Sequence, residues 1–559
     1  MDKEELNFRL KILLIIFIII PLILAVRIFY LVSIDMEDYN VVDDKELLLK
    51  RGDIFDKNDR ILATSDDLSS IYANPNEIKD KQKASIVISN VLNIPKKEIL
   101  QKLSSKKNFV WIKRQITPNQ ESVLKNEKIP GLYFKDEYKR FYPNKNLASH
   151  IIGFCNIDNK GVEGIERGFE EYLTGAKEKN NAEYLDSDYD NGGYNLQLTI
   201  DSFIQTVAED SLKNSVLKEG AESGTLILLD GLTGEILTLA NYPDYDPNFY
   251  STYDQKYFRN SAVFNQFEPG SVFKVFVMAL LMDAKLLSKN DYFICKGQYE
   301  KDGVVVRDTG VHGPVNISGI FKYSCNVGTL EAASRIKKNE FYNYLKLFGF
   351  GEATGLGLPG EQTGLLRDVQ NWSNRSMLAI PIGQEISVNA LQMVKAATVF
   401  INDGIMVEPR IVSSVFDNDN RIIKKYEKKE VRRVIAKGIS KEIIKAMESA
   451  TDEIGGSARL LRIEGITFAA KSGTAEIYNA SQKKYSNDRV TSSLLTIFPA
   501  ENPRYVAYIV FHDVYHDKEG RVRWGGIIGS KLINDFVSRL TGYLDIETEN
   551  KIKVKKSEF

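Results

Sequence analysis

Cysteine is scarce in this chain. Its three residues in 559, Cys155, Cys295 and Cys325, form no CxxC pair. That argues against a disulfide scaffold and against a Cys-rich zinc site. The four histidines, His150, His312, His512 and His516, leave little for metal chemistry. His512 and His516 stand four apart but lack the adjacent glutamate of a zinc-binding helix motif. No cofactor or metal is therefore expected. Neither sign of charge is in surplus: Lys plus Arg is 74, Asp plus Glu is 75, and the net charge is −1. Nucleic acid has no electrostatic reason to bind such a chain. Glycine-rich phosphate loops are also missing, so neither nucleotide binding nor glycosyl transfer is implied. At about 150 residues per domain the length allows two to four domains.

Long apolar runs are lacking too, with one exception. Ile12 to Ile34 reads ILLIIFIIIPLILAVRIFYLVSI, with Arg27 its only charge. A spanning helix needs about 20 mostly apolar residues, and Pro21 is tolerated in one. Arg9 and Lys11 precede the run, whereas Asp35, Glu37 and Asp38 follow it. The positive-inside rule then places residues 1–11 in the cytoplasm and everything after the span outside. No small-x-small cleavage site follows, so the segment reads as an uncleaved single-pass anchor.

Residues 35–194 are polar and Lys-rich, with many short strand-like pieces, and residues 51–63 read as strand, turn, strand with the turn at Lys57-Asn58-Asp59. The stretch Lys177–Gly193, with NN, DSDYDN and GG, reads as a loop or boundary. Beyond it the patterns sharpen. Asp201 is a plausible cap for a helix over 202–218. Residues 224–230 and 235–240 read as a buried hairpin, and three more strands are expected at 465–478, 492–498 and 505–511. Helices dominate between 271 and 450. Strands from both ends of a helical middle point to one α+β domain whose sheet is closed by the two ends of the segment. The basic tail spans 546–559.

The sharpest local feature is Glu268-Pro-Gly-Ser-Val-Phe-Lys274, followed by VFVMALLMDAKLL. A Pro-Gly turn leads into a helix apolar almost all round, which must be buried. Ser271 and Lys274 then share a face at i,i+3. A serine hydroxyl needs a base within reach, and burial at a helix start pushes a lysine toward its neutral form. S-x-x-K alone is weak evidence, since it recurs at Ser104, Ser122, Ser215, Ser334 and Ser481. Only Ser271 lies between a turn and a buried helix. Ser324-Cys325-Asn326 follows a helical stretch over 317–323 and offers a hydroxyl and an amide from one short loop. Lys471-Ser472-Gly473-Thr474 interrupts the apolar strand ITFAAKSGTAEIY. Glycine there fits a strand that another backbone approaches closely, and the lysine and hydroxyls suit a carboxylate. An edge strand decorated against aggregation has the same look.

SxxK, SxN and KSG follow one another at spacings of 53 and 147 residues. This is the motif set of penicillin-binding proteins and serine β-lactamases. The chain resembles a class B penicillin-binding protein over nearly its whole length. The resemblance is carried by RGDIFDKNDRILATS (51–65), RFYPNKNLASHIIGFCNIDNKGVEGIERGFEEYLTG (140–175), LDGLTGEILTLANYPDYDPN (229–248), RNSAVFNQFEPGSVFK (259–274), YSCNVG (323–328), GLGLPGE (355–361) and IGQEISVNALQ (382–392). The glutamate before Pro-Gly-Ser, NVG after SxN and GIERGFEEYLTG lean toward the division type, FtsI-like. Elongation and sporulation types are the alternatives. Two departures stand out: Cys325 fills the middle of SxN, and Ser472 stands where threonine is commoner. A free thiol in an oxidising envelope is unusual, but only its neighbours carry groups the chemistry needs.

The resemblance implies an α+β fold of the penicillin-binding-protein and serine β-lactamase type, an antiparallel sheet with helices on both sides. It would cover 195–545, after a transmembrane helix (12–34) and an extended, mostly β pedestal or dimerisation domain (35–194). It implies a D,D-transpeptidase that cross-links peptidoglycan stem peptides through an acyl-enzyme on Ser271. Lys274 would be the base and Ser324 and Lys471 the proton relay. Asn326 would hold the donor peptide, and Lys471, Ser472, Gly473 and Thr474 its carboxylate. β-Lactam antibiotics would acylate the same serine. An FtsW-like SEDS glycosyltransferase and divisome membrane proteins are the implied partners, at the bacterial cytoplasmic membrane with the catalytic domain outside. A β-lactamase-like hydrolase would need a deacylating glutamate with Asn four residues on, but Glu361 is followed by Leu365 there. A sensor or scaffold without turnover would not need all three motifs intact.

Overall fold

The computed structural model describes residues 17, 19–22, 24, 27, 50–175, 192–452, 454–479, 484–517, 519–544 and 546. Most of the expected span 12–34, nearly all of the loop 177–193 and all but Ile546 of the tail lie outside these residues. Among the described residues no helix is long and apolar enough to cross a membrane. Residues 1–49 and 50–559 form separate units. In the first, the described residues 17, 19–22, 24 and 27 are helical.

The second unit begins with the strand–turn–strand read from the sequence: Ile54–Phe55, a turn, then Ile61–Ala73. Asp56 Oδ1 accepts the N–H groups of Asn58 and Arg60, and Asp59 takes the left-handed conformation with φ 62°. Ile54–Phe55 also pairs in parallel with Asn195–Leu198, which pairs with Val412–Phe416. One sheet thus crosses the boundary expected at residue 194. The N-terminal part is less purely β than expected. Helices Lys81–Leu92, Lys96–Leu103 and Pro118–Asn126 pack on its sheet. Ala84, Ile88 and Leu92 make a buried stripe at helical spacing beneath an Asp80 cap.

Two of the sequence boxes meet in a buried ion network. The Glu166 carboxylate receives Arg51 Nε at 2.5 Å and Arg140 Nε at 2.6 Å, and all three side chains are buried. Burial pushes this carboxyl up, but Arg140 and Arg51 outweigh it and hold it below the usual carboxylate range. Removing one member of such a cluster strands the others without compensation. Glu166→Ala is expected to cost about 3–5 kcal/mol, read as a large fall in the melting temperature. A melting curve within a degree or two of wild type would show that the two arginines find other partners.

The remaining fold is built on a five-stranded antiparallel sheet. Its strands are β1 (Ser223–Asp230), β2 (Glu235–Tyr242), β3 (Ala469–Asn479), β4 (Lys484–Phe498) and β5 (Tyr505–Tyr515), in the order β3-β4-β5-β1-β2. The hairpin and the three late strands thus close one sheet, as the sequence suggests. Alternate residues face opposite layers. Leu226 and Leu228 pack with α1 (Ser202–Glu219) and α6 (Gly525–Ser538), while Ile227 and Leu229 join the core of the helical middle. Asp201 caps α1, accepting the N–H groups of Phe203 and Ile204. The helical middle holds α2 (Lys274–Asp283), α3 (Ile317–Tyr323), α4 (Asn326–Ala333) and α5 (Ile439–Asp452). Helices on both sides of an antiparallel sheet are the fold expected above.

Candidate active site

The Pro269-Gly270 turn opens a 3-10 turn over Gly270–Phe273, and α2 begins at Lys274. Every α2 residue from Lys274 to Leu281 is buried. Each fully buried Val, Leu or Phe there contributes about 1.5–3 kcal/mol, which offsets the cost of drawing an amine into the core. Ser271 lies one turn before Lys274 and is partly exposed, whereas Lys274 is fully buried. The lysine is held on two sides: Nζ donates to the Ser324 carbonyl at 2.5 Å and to Asn326 Oδ1 at 2.7 Å. A neutral amine has two hydrogens and one lone pair. Both hydrogens are engaged in this arrangement, and the lone pair stays available for a proton.

The SxN motif is a sharp corner between α3 and α4. Ser324 closes α3 in the left-handed conformation, φ 57°, and Cys325 caps α4 through its sulfur, which accepts the Gly328 N–H at 3.3 Å. Both ends of the Asn326 amide are used. Oδ1 accepts from Lys274, and Nδ2 donates to the Arg307 carbonyl at 3.0 Å. One Nδ2 hydrogen is left for a ligand, so Asn326 positions the lysine as well as facing the site.

The third motif lies on β3, at the edge of the sheet. Lys471 Nζ donates to Ser324 Oγ at 2.9 Å and to the Ser472 carbonyl at 2.8 Å. Thr474 Oγ1 accepts the Gly525 N–H at 3.2 Å. Gly473 meets the close approach its place in the strand suggested. A Cβ there would fall 2.7 Å from the Pro269 carbonyl oxygen and 2.9 Å from Val272 Cγ2. The strand therefore passes directly against the turn that carries Ser271. Gly383 closes the other side: a Cβ on it would stand 2.0 Å from the Gly270 carbonyl oxygen.

The structure thus joins Lys274, Ser324, Asn326 and Lys471 by hydrogen bonds, and it sets Ser271, Ser472, Gly473 and Thr474 in the adjoining backbone. Burial pulls the Lys274 amine down to about 8, while Asp308 and Cys325 pull the other way. Burial, and then the neighbouring charge of Lys274, holds Lys471 well below the usual lysine range. Two amines in one dry site disfavour a proton on both. Beside the turn, a groove of about 1000 Å³ is lined by Phe267, Glu268, Glu385, Ala475 and Tyr485 among others. None of the eight site residues lines it, but Glu268 and Ala475 adjoin their motifs. His512 is buried, and desolvation drops its imidazole to about 4, so it is neutral at physiological pH. Asp308 escaped the sequence reading. It accepts the Val327 N–H at 3.0 Å and Cys325 Sγ–H at 3.1 Å, and no motif marks it.

A family model described as the penicillin-binding protein transpeptidase domain matches residues 224–526. One described as the penicillin-binding protein dimerisation domain matches residues 48–192. The chain is 32% identical over 492 residues to the probable peptidoglycan D,D-transpeptidase PenA of Neisseria meningitidis, covering 85% of this chain and 82% of that one. It is 28% identical over 531 residues to the peptidoglycan D,D-transpeptidase FtsI of Escherichia coli, covering 92% and 87%. The crystal structure of a peptidoglycan synthetase from Bifidobacterium adolescentis matches with a TM-score of 0.70 at 26% identity, covering 90% of this chain and 96% of that one.

Proposed function

This chain belongs to the penicillin-binding-protein family and is a peptidoglycan D,D-transpeptidase; from that premise we propose that Ser271 is its nucleophile. Ser271 Oγ attacks the carbonyl carbon between the last two D-alanines of a stem peptide, and its proton passes to Lys274. The C–N bond breaks, and the departing D-Ala nitrogen takes a proton through Ser324 and Lys471. An amine of a neighbouring stem peptide then displaces Ser271 and forms the cross-link. The observation that carries this reading is the pair of fully buried amines gathered on Ser324, Lys274 at its carbonyl and Lys471 at its hydroxyl. Asn326, through its remaining hydrogen, holds the donor peptide. Lys471, Ser472, Gly473 and Thr474 receive its carboxylate, and the N–H groups of Ser271 and Thr474 face the oxyanion. The open edge of β3 suits a peptide added as a strand. β-Lactams acylate the same serine. Glu361 is spent on the Thr354 N–H at 2.5 Å, which favours aminolysis over a β-lactamase-like deacylation.

The cellular assignment is to division, at the septum, with an FtsW-like polymerase and divisome proteins as partners. It rests on the division-type boxes and on the FtsI relative. The run over 12–34 is the anchor in the cytoplasmic membrane, with 35–194 as the pedestal and 195–545 as the catalytic domain outside. Two measurements test the function. Full-length protein given nascent glycan strands is expected to release D-alanine and yield cross-linked muropeptide dimers in equal amounts. D-Alanine release without dimers would make it a hydrolase. A fluorescent fusion is expected at midcell, and a lateral distribution or appearance only in sporulating cells would overturn the division assignment.

A further inference from the structure

Immediately behind the SxN corner, four side chains converge that the transpeptidase chemistry does not require. Cys295, Asp308, His312 and Cys325 each offer one ligand atom, and these atoms all lie within 4.8 Å of one another. Cys295 Sγ is 3.5 Å from Asp308 Oδ2 and 3.5 Å from His312 Nδ1. Cys325 Sγ is 3.1 Å from Asp308 Oδ2, and His312 Nδ1 is 3.9 Å from Asp308 Oδ1. A tetrahedral zinc ion has Zn–S near 2.3 Å and Zn–N and Zn–O near 2.0 Å, which spaces its ligand atoms about 3.3–3.8 Å apart. The four separations above, 3.1 to 3.9 Å, stand around that figure, and no pair of ligand atoms is more than 4.8 Å apart.

We propose that Cys295, Asp308, His312 and Cys325 form a structural zinc site that braces the SxN corner. Two sulfurs with one imidazole and one carboxylate suit zinc and not the hard cations calcium or magnesium. The surroundings are those of a built site. The Gly328 N–H points at Cys325 Sγ, the N–H groups of Val327 and Thr309 hold the Asp308 carboxylate, and Tyr323 stacks on the His312 ring at 4.9 Å. Both cysteines and the Asp308 side chain are buried, with His312 at the rim. Four protein ligands leave no open position, so the ion is structural and not catalytic. It would tie the segment 295–312 to the residue between Ser324 and Asn326, and Arg307 in that segment already accepts from Asn326. Cys325 then ceases to be a dispensable filler of the motif. The sequence carries a signal for this that a search for CxxC passes over: each cysteine lies 13 residues from the Asp308-x-x-x-His312 pair, one on either side.

This inference goes beyond the transpeptidase reading, and its readout is metal content, independent of acylation. Full-length protein purified in detergent without chelator is expected to carry about one zinc per chain. Cys295 and Cys325 should resist alkylation until a chelator is added, and the melting temperature should fall with chelator and recover with zinc chloride. Cobalt in place of zinc should show sulfur-to-cobalt charge-transfer and tetrahedral d–d bands. His312→Ala and Cys295→Ser should lose the metal, and their melting should no longer respond to zinc. If these variants fail to fold, the wild-type measurements decide. Only trace zinc after incubation with excess zinc chloride and desalting would overturn the site. So would an intact mass showing a Cys295–Cys325 disulfide in protein purified without reductant or chelator.

Discussion

Ser271→Ala is expected to abolish covalent labelling by a fluorescent penicillin altogether, while the wild-type adduct maps to the peptide containing Ser271. The effect is total because acylation has no other first step. The rival within the site is Ser324, whose Oγ accepts from Lys471 at 2.9 Å. That hydroxyl closes a helix in a left-handed corner and faces one amine, so it is placed to pass a proton. Ser271 instead stands partly exposed against the backbone of the third motif. Its melting curve should match wild type, since losing one partly exposed hydroxyl removes little. An adduct on Ser324, or undiminished labelling of Ser271→Ala, would sink the assignment.

What could be read from sequence follows from how strong and how local each signal is. The helix after Ser271, strands β1 and β5 and the second half of β4 were legible because near-continuous apolar runs flanked by turns admit few readings, whereas the polar first half of β4, from Lys484, carries no such run. Gly473 was legible because a glycine and a lysine in an apolar strand are both locally unfavourable and need a reason. The helices at 81–92, 96–103 and 118–126 were not, since their apolar stripes are short and diluted among polar residues. The parallel pairing of Ile54–Phe55 with Asn195–Leu198 could not be foreseen, because those partners lie about 140 residues away along the chain. The roles of Asn326 and Asp308 were hidden for a related reason. The contact from Lys274 to Asn326 spans 52 residues, and pairing at such range leaves no periodicity in the text. Motif order locates the site, whereas the partners of the buried lysine are set by the tertiary fold.

Lys274→Ala is expected to slow acylation by about 10²–10⁴-fold, the usual cost of losing a positioned base, or about 2.7–5.5 kcal/mol in barrier. The pH profile separates this role from mere packing. Burial brings the amine down to about 8, and only the neutral form has a lone pair. A group one unit below its pKa is roughly one-tenth deprotonated. Wild-type acylation should therefore climb about tenfold from pH 7 and level off above pH 8. The residual rate of Lys274→Ala should lose that step. Lys274→Arg sharpens the test, because a guanidinium keeps the charge and can still donate to the Ser324 carbonyl and Asn326 Oδ1, but it does not deprotonate. If the lysine works as a base, the arginine variant is as slow as alanine. If it works only as a fixed positive charge that orders the SxN corner, arginine restores labelling and the wild-type rate falls, not climbs, as pH rises through about 8. Near-wild-type rates in Lys274→Arg would thus assign proton transfer elsewhere, with Lys471 and its more deeply depressed amine as the group left to carry it.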